Sequence, residues 1–425
     1  MQRRSLFERR KLRKGEGSVG DSGEEETQKK ALLKFSPELF EILSKLQEVE
    51  LEDVDLDVGD LEIWLQPSTV AAPKAPMVPV PKKAKPANII EVDFVPPVET
   101  YSGRICEVQL GATKGDGGTR GKSVTLGGEM SPAYYLFESQ IPHPPVITLD
   151  VFDMRIPLAK AVKMHVEEVI DDPAAWAKLA VDKFGADMIT LHLVSTDPLL
   201  KDTPPKEAAL TVEKVLQAVD VPIVIGGCGD PQKDLKVFEK AAEVAAGERA
   251  LISSVTLDMD IERSAKAVNK NGHVALAFTS MDLNHARELN RKLYEFLPKE
   301  QIIMDTTTAA LGYGLDYAFT IMERARLSAL LGDTELQHPL SSGTTNAWAA
   351  REAWLKMAPE WGPRELRGPI WETVTALTLC LAGVDVFMMM HPAAVKTLKE
   401  VIGKLTTGAT RGKPEAIAEW VTMKI

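Results

Sequence analysis

Cysteine is scarce in this chain of 425 residues: Cys106, Cys228 and Cys380 are the three present, far apart. That excludes a disulfide framework and points to a reducing compartment, the cytoplasm. No CxxC or CxxH spacing occurs, so a zinc ribbon or an iron–sulfur cluster held by this chain alone is excluded as well. Apolar runs are short. None reaches the roughly 18 residues of a membrane span, and no membrane partner is expected. Basic charge is in deficit: 50 Lys and Arg stand against 61 Asp and Glu, a net charge of −11. Nucleic-acid binding needs a basic face, so it is not expected either. The arginine-rich start (Arg3, Arg4, Arg9, Arg10) lacks the apolar core of a secretory signal.

What is present is apolar material, 44% of residues, enough for a sizeable core. It is unevenly spread. Residues 1–30 are charged and glycine-spotted and read as a disordered tail. Residues 31–65 read as a small α+β extension. Ser36 caps a short helix, Pro37 opens it, and Leu39, Ile42, Leu43 and Leu46 follow at helical spacing. So small a unit buries little by itself and is expected to dock on something. Residues 66–100 carry Pro67, Pro73, Pro76, Pro79, Pro81 and Pro86, the density of a semi-rigid linker. Residues 101–425 form the main domain.

That domain opens on a glycine-rich loop between two β-prone runs, 105–110 and 123–126. Gly115, Gly117, Gly118 and Gly121 make a tight reversal inexpensive, which is a hairpin signal. Gly121-Lys122-Ser123 also matches the end of a Walker A motif. That motif needs a glycine where Asp116 stands, and a helix afterwards. The following Val124-Thr125-Leu126-Gly127-Gly128 reads as strand and turn, so the hairpin is preferred.

Beyond the hairpin, apolar runs alternate with helical patterns. The runs are 146–151, 188–194, 221–225, 251–257, 273–278, 301–305, 338–342 and 384–389. Helical segments are expected from Asp172-Pro173 and over 208–218, 232–245, 261–269, 284–296 and 315–331. Near-continuous apolar strands alternating with helices mean a parallel sheet covered by helices. Eight such units fit the α/β class as a (β/α)8 TIM barrel, typically about 250 residues. An open doubly wound sheet is the alternative, but no glycine fingerprint follows Asp150.

In such a barrel, ligands bind at the carboxyl ends of the strands. The sequence places Asp150 and Asp153 there, then His192 and Ser195, Gly226–Asp230, Thr279-Ser280, Asp305–Thr308, Ser341–Asn346 and His391. This face is dense in hydroxyls and amides and poor in lysine and arginine, the opposite of a triphosphate site. His192 and His391 flank the first strand, but a local carboxylate or backbone group satisfies such histidines more often than a metal does. The Gly226–Gly229 turn can cradle an anion or mark a close backbone approach; the second is preferred. Cys228 is a nucleophile candidate whose default is a small buried residue. Thr306–Thr308 can donate to a ligand or cap the next helix, and the sequence does not separate the two.

Several stretches carry a family resemblance: Leu110-Gly111-Ala112-Thr113-Lys114, Gly117-Gly118-Thr119-Arg120, 124–129, 146–153, 226–230, Asp305-Thr306-Thr307 and Tyr313-Gly314. Together, over roughly residues 101–420, they resemble the corrinoid/iron–sulfur protein small subunit, the delta subunit of the acetyl-CoA decarbonylase/synthase complex. The long N-terminal extension is similar to the archaeal-type form. The resemblance implies a barrel floored by the preceding hairpin. It also implies a heterodimer with a large (gamma) subunit carrying a [4Fe–4S] cluster and a corrinoid (a cobamide). CO dehydrogenase/acetyl-CoA synthase subunits and a pterin methyltransferase are the further partners implied. In that system a cobalt corrinoid takes a methyl group from methyl-tetrahydropterin and passes it to acetyl-CoA synthase. This chain lacks the Asp-x-His-x-x-Gly corrinoid signature and any cysteine cluster motif, so neither cofactor is expected on it alone.

Three functions follow as alternatives. The first is a non-catalytic barrel that helps enclose the partner's corrinoid, with Thr306, Thr307, Ser341, Ser342, Thr344 and Asn346 facing it. The second is a pterin-binding barrel methyltransferase in its own right, with Asp150, Asp305 and Asn346 at the ring edge. The third is a structural assembly subunit organised by residues 31–65.

Overall fold

The computed structural model describes residues 95–406. The expected tail, docking extension and most of the linker lie outside the described residues. The first regular structure is the hairpin. β1 (Val108–Leu110) pairs antiparallel with β2 (Val124–Leu126), with Val108 opposite Leu126. A strand, not a helix, follows Ser123, so the Walker A reading fails on the element it most needs.

Eight parallel strands then appear where the alternation predicts them. They are β3 (Val146–Phe152), β4 (Met188–His192), β5 (Ile223–Gly226), β6 (Leu251–Val255), β7 (Val274–Phe278), β8 (Ile302–Asp305), β9 (Ser341–Ser342) and β10 (Val386–Met389). Their order around the sheet is β8-β7-β6-β5-β4-β3-β10-β9. A parallel bridge between Met304 and Leu340 closes the ring, and the Met304 amide donates to the Pro339 carbonyl at 2.9 Å. This is the expected (β/α)8 barrel.

Helices α1 (Lys160–Val166), α2 (Pro173–Asp182), α3 (Pro205–Ala218), α4 (Pro231–Val244), α5 (Ile261–Lys270), α6 (Leu283–Leu293), α7 (Leu315–Leu330), α8 (Arg364–Leu381) and α9 (Pro392–Thr406) cover it. Aspartates set several starts. Asp172, Asp230, Asp260 and Asp282 each accept from first-turn amides, a cap worth about 1 kcal/mol. The sequence reading missed α1, α8 and α9. Gly368 and Pro369 stand inside α8 and read as breakers, yet the helix runs through them.

Alternation along the strands sorts side chains into layers. On β3, Ile147, Leu149 and Val151 join the core under the helices, leaving Thr148 and Asp150 for the interior. The lowest interior layer is apolar: Met188, Val224, Leu251, Val274, Ile303 and Val386 pack on Val108, Leu110 and Leu126 of the hairpin. The hairpin is therefore the floor. Above it the interior turns polar, beginning with the Thr148 and Thr190 hydroxyls 2.8 Å apart.

Buried charge fastens the floor. Arg120 meets Glu248 at 2.7 Å and donates to the Leu216 carbonyl of α3 at 2.9 Å. Arg326 lies between Glu129, at 2.8 Å, and Asp385, at 2.9 Å. Burial drives the Asp385 carboxyl well above its usual range, whereas for Glu129 burial is outweighed by the Arg326 guanidinium, which holds that carboxyl low. Among the described residues no helix is long and apolar enough to cross a membrane.

Candidate functional site at the barrel mouth

Parallel strands put all their carboxyl ends on one face, opposite the hairpin. β3 and β4 bring Asp150, Phe152 and His192 together there. Asp150 is 3% exposed, and its Oδ2 accepts from the Thr345 hydroxyl. Its Oδ1 lies 3.2 Å from His192 Nε2, yet neither atom has a hydrogen-bond partner in good geometry. The imidazole stacks on Phe152, centroids 5.0 Å apart and planes 17° apart. His192 thus belongs to the wall of the mouth, beside a carboxylate and stacked on a ring.

Around the ring, β8 ends in Asp305. Burial pushes this carboxyl up to about 7, against the Thr307 amide that donates to Oδ1 at 2.8 Å. Thr307 has φ 77°, an outlier for a β-branched residue. Its hydroxyl donates to the Thr279 carbonyl at 2.8 Å, which holds that conformation in place. The Thr308 and Ser342 hydroxyls are 2.9 Å apart, those of Ser342 and Thr344 2.8 Å, and the Asn346 amide donates to the Thr308 carbonyl at 2.9 Å.

The six predicted residues therefore sit on one sector, spanning β8 and β9. Thr306, Ser341, Ser342 and Thr344 are fully buried, Thr307 is half-buried, and Asn346 is exposed. The Thr306 and Ser341 hydroxyls have no partner. The capping alternative for Thr306–Thr308 fails: α7 begins at Leu315, with Gly314 before it. The sequence showed hydroxyls at strand ends; it did not show that Thr308, Ser342 and Thr344 bond to one another while Thr306 and Ser341 are left unpartnered.

The Gly226–Gly229 turn is a close approach. Asp234 accepts from the Cys228 and Gly229 amides, each at 2.8 Å, and a Cβ on Gly227 would lie 2.3 Å from the Asp234 carboxyl carbon. The chain's own carboxylate thus fills the place an anion would take. Burial pushes the Cys228 thiol up to about 11, so it is no thiolate nucleophile at neutral pH.

His391 does not join His192. It packs edge-on against His165, centroids 4.9 Å apart, and along Trp348; burial, then His165, lowers its pKa to about 3. Glu372 on α8 went unnoticed in the sequence because its helix did. It is fully buried, accepts from the Met390 amide at 2.6 Å and the His391 amide at 3.0 Å, and burial pushes it up to about 8. Among the described residues no group of three or more His, Cys, Asp or Glu is placed to hold a metal.

Comparison with known proteins gives the chain a family. Dihydropteroate synthase from Stenotrophomonas maltophilia aligns with a TM-score of 0.44 at 14% identity, covering 67% of this chain and 97% of that one. The acetyl-CoA decarbonylase/synthase complex subunit delta of Archaeoglobus fulgidus is 58% identical over 364 residues, 84% of this chain and 80% of the relative. Subunit delta 1 of Methanosarcina thermophila is 54% identical over 363 residues, with the same coverage. The family model for the CO dehydrogenase/acetyl-CoA synthase delta subunit matches residues 107–358. On this similarity, the chain belongs to the CO dehydrogenase/acetyl-CoA synthase delta-subunit family.

Proposed function

We propose that this chain is the delta subunit of an acetyl-CoA decarbonylase/synthase complex, paired with a large gamma corrinoid/iron–sulfur subunit. Its barrel mouth helps enclose that subunit's corrinoid while a methyl group passes between methyl-tetrahydropterin and acetyl-CoA synthase. Corrinoid and [4Fe–4S] cluster both reside on the partner, and the corrinoid's cobalt supplies the methyl-carrying chemistry. This chain's task is to orient and to exclude water.

The supporting observation is the set of neutral hydroxyls and amides on the β8–β9 sector of the mouth. Thr307 and Asn346 reach the surface, backed by the Thr308, Ser342 and Thr344 hydroxyls. Such a surface hydrogen-bonds the amides of a corrin rim. His192 lies on the far side of β3 from this sector, beside Asp150 and stacked on Phe152.

The chain purified alone is expected to be colourless, with corrinoid retained only when both subunits are present; an ultraviolet–visible spectrum checks this. Thr307→Leu and Asn346→Leu in the reconstituted dimer should cut methyl transfer severalfold while the thermal midpoint holds. Unchanged turnover in both variants would remove the mouth from the reaction and leave a scaffold. One observation favours a second reading: Asp150 Oδ1 is unpaired and Asp305 is protonatable near neutrality, which suits the donor edge of a pterin. Methyl transfer by the isolated chain to a free corrinoid would select it.

A further inference from the structure

Large apolar side chains stand in water on two opposite sides of the mouth. After β4, Leu199 and Leu200 are 92% and 61% exposed. After β8, at the start of α7, Tyr313 and Tyr317 are 55% and 67% exposed. Four steps of the ring order separate β4 from β8, so the two pairs face each other across the barrel axis. Between them the mouth is polar, with the half-buried Thr307 and His192. Apolar residues exposed singly need no explanation. These stand in pairs, and each pair is held by a locked loop.

The loop after β4 is tied at several points. The Asp197 carboxylate accepts from the Leu199 amide at 2.7 Å, and the Asp197 carbonyl accepts from the Leu200 and Asp202 amides, each at 3.0 Å. The Thr203 amide donates to the Ser195 carbonyl at 2.9 Å and closes the loop. Outside it, Lys233 of α4 pairs with Asp202, and the Ser195 amide donates to Asp153 at 2.9 Å. The segment after β8 is fixed by other means. Gly312 and Gly314 take φ 76° and 95°, conformations open to glycine. The Tyr313 amide donates to the Ala310 carbonyl at 2.8 Å, and the Leu311 amide to the Thr375 hydroxyl of α8 at 3.2 Å. A Cβ on Gly314 would lie 3.1 Å from the Tyr317 ring, so the glycine lets that ring rest against the loop. Holding an apolar side chain rigidly in water gains the free chain nothing. It lowers the ordering cost once a partner covers that side chain.

We propose that Leu199 with Leu200, and Tyr313 with Tyr317, are two grips by which the corrinoid-bearing subunit is held over the whole mouth. The grips rest on the reading that pairs this chain with such a subunit, and they say how it sits. A partner touching the β8–β9 sector alone would leave Leu199 and Leu200 in water. A partner touching both pairs closes over everything between them and shuts water out of the polar ground there. Its complementary surface carries two apolar patches with a gap between them, and tyrosine is among the residues that anchor such contacts.

The test uses the full chain and the purified corrinoid subunit, with association followed by sedimentation velocity. One variant carries Leu199→Asp and Leu200→Asp, the other Tyr313→Asp and Tyr317→Asp. Each should raise Kd by about tenfold or more, a loss on the scale of an interface anchor. The thermal midpoint of the unbound chain should stay at the wild-type value in both, since these side chains are mostly exposed. Wild-type affinity should change little as salt is raised, because apolar contacts are not screened. If the wild type does not associate, the pairing itself fails and the grips with it. If the wild type associates and neither variant weakens it, the grips alone are overturned. Weakening by one variant only would overturn a cover that spans the mouth. A steep fall of affinity with salt would assign the contact to charges instead. A concentration-dependent dimer of the chain alone, lost in both variants, would give the rim to a second copy and overturn the proposal as well. Should an aspartate variant melt early, the serine replacements at the same positions should weaken association with the midpoint restored.

Discussion

The two ends of the barrel treat their polar groups in opposite ways. At the floor, charge is buried but paired: Arg120 with Glu248, and Arg326 with Glu129 and Asp385. At the mouth the hydroxyls are neutral, yet several atoms are left over. Asp150 Oδ1, Thr279 Oγ1, Thr306 Oγ1 and Ser341 Oγ are buried without partners. Unpartnered buried atoms occur at the floor too, Glu129 Oε2 and Arg326 Nε, but there they belong to groups already held in ion pairs, whereas the Thr306 and Ser341 hydroxyls at the mouth make no hydrogen bond at all. Polar groups at the floor are used to fasten the hairpin; those at the mouth remain available.

The strongest way to break this contrast is Arg326→Met. It strands two carboxyls in the interior and should cost about 3–5 kcal/mol in urea unfolding. The loss should shrink in acid, as those carboxyls take up protons. A wild-type urea midpoint would mean the floor charges are as dispensable as those on the surface. Next comes Asp305→Asn. Burial raises the folded carboxyl from 3.8 to about 7, so the folded state keeps a proton that the unfolded chain has released. That stabilisation is complete below about pH 4 and is lost as pH rises through about 7. The asparagine variant should therefore gain on the wild type across that window and hold its gain above it. Calorimetry on both proteins cancels the parallel contribution of Glu372, which reaches about 8. A flat difference would place Asp305 in water.

Smaller effects sharpen the picture. Thr307→Gly relieves a strained φ but loses the bond to Thr279, so stability should stay within about 1 kcal/mol. A loss well beyond that would show that the side chain is structural. Arg155→Gln removes an exposed partner of Asp171 and should leave the thermal midpoint unresolved from wild type.

How much of this was legible followed from how local each signal is. Period and length carried the eight strands, and even the two-residue β9 was found because Ser341-Ser342 sits in the series. An aspartate cap followed by proline, Asp172-Pro173, marked α2; the equivalent Asp230-Pro231 at α4 was read only as a strand end. α8 was missed because Gly368 and Pro369 are local breakers whose cost the packing of Trp348 offsets. The floor triad was illegible for the converse reason: Glu129, Arg326 and Asp385 are distant in sequence and meet only once the ring exists. At the mouth, residue types were readable and directions were not. Nothing in the order Thr306-Thr307-Thr308 says that the Thr308 hydroxyl bonds to Ser342 while the Thr306 hydroxyl bonds to nothing.

The ring has a weak seam. Between β8 and β9 the backbone contact is the bridge from Met304 to Leu340, whereas β3 and β4 pair over five positions. Above the bridge, the two sides meet through the Thr308 and Ser342 hydroxyls and the Asn346 amide. All six predicted site residues flank this seam. Native-state hydrogen exchange should find the amides of 304–308 and 340–346 opening far more often than those of β3 or β4. A docking surface built there can part by a small amount without unfolding the barrel, so the mouth can adjust to the shape pressed against it while the floor stays shut.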